Sequence, residues 1–226
     1  SSYREADEDA VMIVRPLFTT AWLLADFFHE QGWFGARQVV LSSASSKTAY
    51  ATAWCLRRLG GVQIVGLTSA GNLAFVQGLG CYDQVLAYDK VTTLDAHVPT
   101  LFADFSGSAE QRARLHEQFG DALTHSAVIG ATQFSAGERD AALPGAKPTF
   151  FFAPEQARRR AEAWGGAELQ RRAGEAQRDF LLRALDPVAP WLRIEAHQGL
   201  PAAAAVMASL AQGDVDPRLG HAVRVG

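Results

Sequence analysis

Residues 39–69, VVLSSASSKTAYATAWCLRRLGGVQIVGLTS, decide the fold of this chain. Their apolar start predicts a short strand, and residues 42–49 then include no bulky side chain except Lys47. An amphipathic helix follows and ends at Gly60, after which residues 62–67 predict a second, buried parallel strand. Such a unit opens an α/β sheet. The small residues of its turn let backbone N–H groups approach an anion at the helix N-terminus.

Strands and helices continue to alternate after this unit. The apolar spacing predicts, in chain order, a helix at 72–79, strands at 84–88 and 100–105, a helix at 109–119 and a strand at 127–132. Parallel strands need helical crossovers, so this order predicts a doubly wound parallel sheet of the α/β class. The expected fold is therefore a Rossmann-type dinucleotide-binding fold.

The flanking segments have a different character. An apolar helix is predicted at Leu17 to Gln31, residues 154–185 are predicted to form a solvated pair of charged helices, and the last forty residues predict strand, helix and strand at 191–195, 201–212 and 221–225. Residues 137–148, which contain Pro144, Gly145 and Pro148, predict a loop or boundary. We expect a cofactor-binding core with its linker helix over 17–136, and helical C-terminal additions over 149–226.

The turn after the first strand contains no glycine, whereas a dinucleotide-binding turn usually carries G-x-G-x-x-G. Its small residues still favour a phosphate contact, and the candidate contacts are Ser45, Ser46, Lys47 and Thr48. A turn with a purely structural role is the alternative. A Walker P-loop fits less well, because Ser46 replaces the glycine before Lys47 and Leu41 stands where the first glycine belongs.

Composition narrows the function classes. The 226 residues carry a net charge of −3, which gives no general electrostatic reason to bind nucleic acid. The two cysteines suggest neither a disulfide framework nor a metal cluster, and the six histidines show no ligand spacing, so no metal is expected. Residues 11–28 are apolar but contain Arg15, Pro16 and Asp26, which argues against a signal peptide or a membrane span. We expect a soluble, cytoplasmic protein.

Several segments together resemble the medium-chain dehydrogenase/reductase superfamily, in particular its zinc-free, quinone-oxidoreductase-like side. They are PLFTTAWLL (16–24), VVLSSASSKTA (39–49), GLTSAGNLAFVQGLGCYDQVLAYD (66–89), FADFSG (102–107), SAVIGATQF (126–134) and PAAAAVMASLAQGDVDPRLGHAVRV (201–225). The SSASSKTA turn and the WGG of residues 164–166 resemble an uncharacterised bacterial branch of that superfamily, a domain of unknown function.

The resemblance implies a nicotinamide cofactor, and a preceding GroES-like domain that supplies much of the substrate site. The chain then looks like a fragment that carries the cofactor domain, and a homodimer through the edge near 127–134 is expected. The resemblance also places Tyr88 beside the adenosine half of the cofactor. The residues that it places around the nicotinamide half are Ser106, Gly107, Gly130, Ala131 and Thr132.

The choice of cofactor depends on the end of the second strand. An NAD site usually has Asp or Glu there to bind the ribose hydroxyls, and that carboxylate would repel a 2′-phosphate. This chain has Thr68, Ser69 and Asn72 instead, whose hydroxyls and amide can donate to phosphate. NADP(H) is therefore favoured over NAD(H). Residues 68–76 contain no arginine or lysine, so Lys47 is the candidate cation.

These observations predict an NADP(H)-binding domain of a zinc-independent oxidoreductase, which acts by hydride transfer on a small carbonyl, quinone or enoyl compound. The alternative is a non-catalytic nucleotide-sensing or protein-interaction module on the same fold, because fold alone does not define function. A methyltransferase is disfavoured by the missing acidic residue and glycine-rich turn, and a serine hydrolase by the missing G-x-S-x-G elbow. The sequence identifies no catalytic residue.

Overall fold

A computed structural model describes residues 5–130, 142–212 and 216–224. Its main sheet has six parallel strands in the order β3-β2-β1-β4-β5-β6. The strands are β1 Gln38–Leu41, β2 Gln63–Thr68, β3 Gln84–Ala87, β4 Thr100–Asp104, β5 Leu123–Val128 and β6 Pro148–Phe150. This order confirms the predicted doubly wound, Rossmann-type α/β fold, with its topological switch point between β1 and β4.

Helices flank the sheet and follow it. They are α1 Glu5–Glu30, α2 Lys47–Leu59, α3 Leu73–Leu79, α4 Ala109–Phe119, α5 Ala153–Trp164, α6 Gly166–Ala184 and α7 Gly199–Gln212. Short 3₁₀ segments lie at Gly32–Gly35, Ala70–Asn72, Tyr88–Thr93 and Gly120–Ala122. Every residue of β1 and β4 is buried, as expected for central strands covered on both faces.

The leading helix is longer than predicted, because α1 starts at Glu5 and continues through Pro16 instead of starting at Leu17. Phe18, Leu24 and Phe28 are fully buried in the main core, where α1 packs against α2. Residues Glu8–Glu30 are also long and apolar enough to cross a membrane by length and composition. In the structure 39% of the most apolar part of this segment is buried, and those side chains form one wall of the core.

The far side of the sheet differs from the prediction. The fifth strand is Leu123–Val128 rather than 127–132, because polar residues inside the strand hide its start from an apolar pattern. Two of them are held by tertiary contacts, since Ser126 pairs with His116 and His125 stacks on Phe34. The sixth strand was not predicted at all. It begins at Pro148, which sequence analysis assigned to a loop, and proline is tolerated at the first residue of an edge strand.

The C-terminal residues form a separate two-stranded parallel sheet of β7 Arg193–Gln198 and β8 Leu219–Arg224, connected across α7. Gly220 allows close packing here, since a Cβ at this position would lie 3.0 Å from Ile194 and 3.2 Å from Ile13 of α1. Arg224 binds Asp9 of α1 at 2.8 Å. The predicted strand, helix and strand are therefore present, with shifted ends, and their sheet packs on the leading helix.

The charged helices α5 and α6 are joined at Trp164, where Gly165 has a φ of +86°. Some of their arginines pair with glutamates of the same helix, as Arg158 does with Glu155 and Glu162, whereas Arg160 pairs with Asp26 and Glu30 of α1. Trp164 lies between the guanidinium groups of Arg160 and Arg172, each 4.5 Å from a ring centroid. The predicted pair of helices is present, but one face of α5 packs against α1, where Gln156 is buried and bonds Asp26.

Candidate functional site

The turn between β1 and α2 lies at the carboxyl edge of the sheet. The Ser46 N–H donates to the Ser43 carbonyl at 2.7 Å, and the Ser46 hydroxyl accepts from the Ala49 N–H at 3.3 Å and so caps α2. Lys47 and Thr48 occupy the first two helical positions, where backbone N–H groups lack an intrahelical acceptor. The turn therefore presents donors and the positive end of the helix dipole without any glycine.

Ser43 takes the strained position of this turn, with a φ of +46°. A left-handed conformation costs a non-glycine residue roughly 1–2 kcal/mol. The Ser43 N–H donates to the hydroxyl oxygen of Tyr88 at 2.7 Å, which helps to hold the conformation. Tyr88 follows β3 directly. The structure thus brings the predicted adenosine-side tyrosine to the edge of the predicted phosphate turn.

Close packing of the turn depends on Gly66 in the neighbouring strand β2. A Cβ at this position would lie 2.9 Å from the Ala44 Cβ and 2.9 Å from Cδ1 of Tyr82. Ala44 is also held by its own backbone, since its N–H donates to the Leu67 carbonyl and its carbonyl accepts from the Tyr82 hydroxyl, both at 2.9 Å. The sequence analysis missed this glycine. Its signal was a lone glycine within the apolar run QIVGLT, which indicates close approach of another backbone.

The predicted contacts after β2 differ in accessibility. Thr68 is 1% exposed, whereas Ser69 is exposed and Asn72 is half-buried. The Asn72 amide donates to the Ser45 hydroxyl at 3.2 Å and so connects this loop to the turn between β1 and α2. Ser69 and Asn72 are therefore the polar side chains that a ligand can reach here, while Thr68 lies beneath them.

The C-terminal segment 216–218 lies against this region, where it contacts Lys47 of α2 and contributes Arg218. The Lys47 ammonium donates to the Pro217 carbonyl at 3.2 Å. Burial lowers the pKa of Lys47 below its usual value, and the Asp216 carboxylate partly offsets this effect. The Arg218 guanidinium lies 5.2 Å from the ring centroid of Phe75 on α3. The sequence analysis did not single out Arg218, because its proximity to α3 is purely tertiary.

A buried polar network fixes the loop after β4. Asp104 is fully buried, and its Oδ1 accepts from the Ser42 hydroxyl at 2.8 Å and from both the N–H and the hydroxyl of Ser106, at 2.9 and 2.7 Å. Its Oδ2 accepts from Arg112 at 2.7 Å. The Ser42 hydroxyl oxygen accepts in turn from the Phe105 N–H at 2.8 Å. Asp104 therefore bonds the backbone of its own loop and, through Ser42, holds the β1 and β4 loops together.

The remaining predicted contacts follow β4 and β5. Gly107 and Gly130 have φ values of +65° and +78°, and no atom of the residues that the structure describes lies within 4 Å of a Cβ built on either. Ala131 and Thr132, the other two predicted contacts, lie outside the described residues. The structure brings Ser45, Ser46, Lys47, Thr48, Ser69, Asn72, Tyr88, Ser106, Gly107 and Gly130 to the loops at this one edge of the sheet.

Comparison with known proteins agrees with this architecture. Residues 1–216 match the model of a family described as "Protein of unknown function (DUF2855)". No curated protein sequence matches the chain.

Solved structures with the same fold include a quinone oxidoreductase from Coxiella burnetii (TM-score 0.57, 15% identity, 90% of this chain and 58% of that one). They also include CurA from Vibrio vulnificus in complex with NADPH (0.60, 13%, 99% and 66%) and YhdH from Escherichia coli K-12 with bound NADPH (0.59, 18%, 96% and 63%). The chain spans 58% of the length of the first of these. The chain therefore belongs to the DUF2855 family and shares the fold of the matching part of these oxidoreductase structures.

Proposed function

We propose that this chain binds NADP(H) across the carboxyl edge of its sheet, in a zinc-independent oxidoreductase that transfers a hydride to a small carbonyl, quinone or enoyl substrate. Two proteins of the same fold, from Vibrio vulnificus and Escherichia coli, hold NADPH. The observation that carries the proposal is the Ser-rich turn at the N-terminus of α2, which is seated on Gly66 and faces away from the core. A ligand at a topological switch point is the general rule for such sheets.

The turn suits a pyrophosphate. The backbone N–H groups of Lys47 and Thr48 and the Ser45 hydroxyl would hold its oxygens, helped by the dipole of a helix of 13 residues. The Tyr88 hydroxyl already accepts from the turn at Ser43 and would stand beside the adenosine ribose. A ligand could contact this turn directly, because Ser45, Ser46, Lys47 and Thr48 are only partly buried.

The residues that would surround the adenosine ribose favour NADP(H), which carries a 2′-phosphate, over NAD(H). Residues 68–72 contain no carboxylate to repel a 2′-phosphate, and Ser69 and Asn72 offer a hydroxyl and an amide. Arg218 approaches the adjacent helix α3 from the C-terminal segment, which supplies a cation that the local sequence lacks. We propose Arg218 as the principal cation for the 2′-phosphate, with Lys47 fixing the segment that carries it.

The nicotinamide half would lie against the loops after β4 and β5, where Ser106, Gly107 and Gly130 line the edge. When bound, the nicotinamide ring donates or accepts the hydride. The Asp104 network holds the Ser106 loop in place, so this loop would orient the ring. Both cysteines are buried free thiols, which supports the further proposal of a cytoplasmic location.

Calorimetric titration of the chain with NADPH and, separately, with NADH tests the proposal. We expect tighter binding of NADPH, and an Arg218→Ala variant should lose about tenfold in NADPH affinity while NADH binding changes little. Arg178→Ala, which removes an exposed arginine of α6, is the matched control. Absence of binding by a folded chain, or equal loss in both arginine variants, would contradict the assignment.

Catalysis requires a second measurement. NADPH oxidation should be followed spectroscopically with a panel of quinones, enones and aldehydes, with NADH as the comparison cofactor. Turnover of at least one acceptor that depends on NADPH would support the oxidoreductase. Tight NADPH binding without turnover of any acceptor by the natural full-length protein would favour a nucleotide-sensing module instead.

A further inference from the structure

Three side chains of the types that can bind a metal ion lie together on the small C-terminal sheet. Glu195 and His197 belong to β7, and His221 belongs to β8. Glu195 is the register partner of His221, and His197 follows Glu195 by two residues. Because alternate residues of a strand share a face, all three side chains project from the same face of this sheet. The sequence showed no ligand spacing, because the two histidines are brought together only by the pairing of two parallel strands.

The three ligand atoms lie close to one another. His197 Nε2 and His221 Nδ1 are 3.0 Å apart, and Glu195 Oε2 lies 3.7 Å from His221 Nδ1 and 4.0 Å from His197 Nε2. Zinc–ligand bonds of about 2.0–2.2 Å in a tetrahedral complex separate ligand atoms by roughly 3.3 Å. The observed separations of 3.0, 3.7 and 4.0 Å bracket this value, so changes of about 0.3–0.7 Å in these distances would complete the coordination.

We propose that Glu195, His197 and His221 bind one divalent transition-metal ion of the zinc class. Two imidazoles and one carboxylate are the protein ligands of many zinc sites that keep a fourth position for water. The side chains are 24%, 18% and 49% exposed for His197, His221 and Glu195, so an ion and a water molecule can reach them from solvent. Imidazole ligands favour zinc, nickel and copper over magnesium and calcium.

The two histidines are already paired without an ion, since their ring nitrogens lie at the 3.0 Å of a hydrogen bond in which one of them carries the proton. A metal ion would replace that proton. An ion between the nitrogens would bind the lone pair of each, and the negatively charged Glu195 carboxylate would be its third protein ligand. The opposite face of the sheet is packed, because Gly220 and Ala222 are buried and Gly220 lies against Ile13 of α1. The ligand backbone is therefore held by the core.

The site shares no residue with the proposed cofactor contacts, although it lies near them along the chain. His221 comes four residues after Pro217, which is at most about 13 Å along an extended strand. The ion would cross-link β7 and β8 and so brace the strand that leads out of the 216–218 segment. Nothing in the metal site depends on NADP(H), and the two proposals can fail independently.

Equilibrium dialysis and calorimetry with Zn²⁺, on untagged chain first stripped with a chelator, test this inference. We expect one ion per chain, a raised melting temperature, and no comparable effect of Mg²⁺ or Ca²⁺. His197→Ala and His221→Ala should each weaken Zn²⁺ binding by at least about tenfold. His97→Ala, which removes an exposed histidine elsewhere, is the matched control and should bind as the wild type does.

Cobalt substitution supplies a second readout that does not depend on stability. Co²⁺ in the wild-type chain should give the visible absorption of a tetrahedral site, and the His197→Ala/His221→Ala double variant should lose it while its far-UV circular dichroism stays unchanged. If a variant fails to fold, Glu195→Gln keeps the size of the side chain and should also weaken binding. Stoichiometric binding retained by the double variant, or the absence of Zn²⁺ binding by the wild type, would overturn the proposal.

Discussion

Replacing Gly66 by alanine should displace the turn between β1 and α2, which contains Ala44. The new Cβ would lie 2.9 Å from the Ala44 Cβ and from Cδ1 of Tyr82, whereas ordinary contact begins near 3.4 Å. The neighbours would have to move by about 0.5 Å, and both belong to a fully hydrogen-bonded unit in which the Tyr82 hydroxyl donates to Ala44.

The magnitude follows from three opposing effects. Overpacking of a core site costs typically 1–3 kcal/mol, and stretching the Tyr82 to Ala44 hydrogen bond adds up to about 1 kcal/mol. Alanine also restricts the unfolded chain, which returns about 0.4–1 kcal/mol, since the φ of Gly66 is not positive. We expect a net loss of about 1–3 kcal/mol in the free energy of unfolding.

Urea denaturation followed by tryptophan fluorescence measures this loss. Gly71→Ala is the matched control, because Gly71 is exposed, lies in the 3₁₀ segment that follows β2, and has no atom of the described residues within 4 Å of an added Cβ. The control should stay within about 0.5 kcal/mol of the wild type. If Gly66→Ala and Gly71→Ala have the same unfolding free energy, the close packing of Ala44 on β2 does not stabilise the turn and the reasoning is refuted.

Three further changes test other parts of the site by the same assay. Asp104→Ala removes the buried carboxylate that binds Arg112 and should cost about 3–5 kcal/mol, whereas a loss under about 1 kcal/mol would contradict a structural role for the ion pair. Tyr88→Phe removes the acceptor of the Ser43 N–H and should cost about 1 kcal/mol, and an unchanged urea midpoint would count against it. Burial lowers the pKa of His125 to about 4, so the unfolded chain takes up the proton first and this histidine costs stability as the pH falls from about 6.5 to about 4. A His125→Phe variant should therefore gain stability relative to the wild type between pH values of about 7.5 and 5, and an equal pH dependence of both proteins would contradict this.

Local patterns predicted most of the sheet core. β1, α2 and β2 form where the apolar run, the small-residue turn and Gly60 indicate, because each depends on neighbours within a few residues. β5 and β6 were displaced or missed for the opposite reason. Ser126 and His125 occupy a strand through contacts with α4 and Phe34, and Pro148 pairs as an edge strand with β5.

The sequence by itself determined the fold class, the small-residue turn after β1 and the lack of a carboxylate after β2, because these follow from side-chain size, charge and spacing along one stretch of chain. Only the tertiary structure decided what completes them. Gly66 lets the glycine-free turn after β1 pack closely on β2, Arg218 contacts α3, and His197 pairs with His221. Each of these relations joins residues that are distant along the chain, and it arises from strand pairing and close packing, which no local pattern encodes.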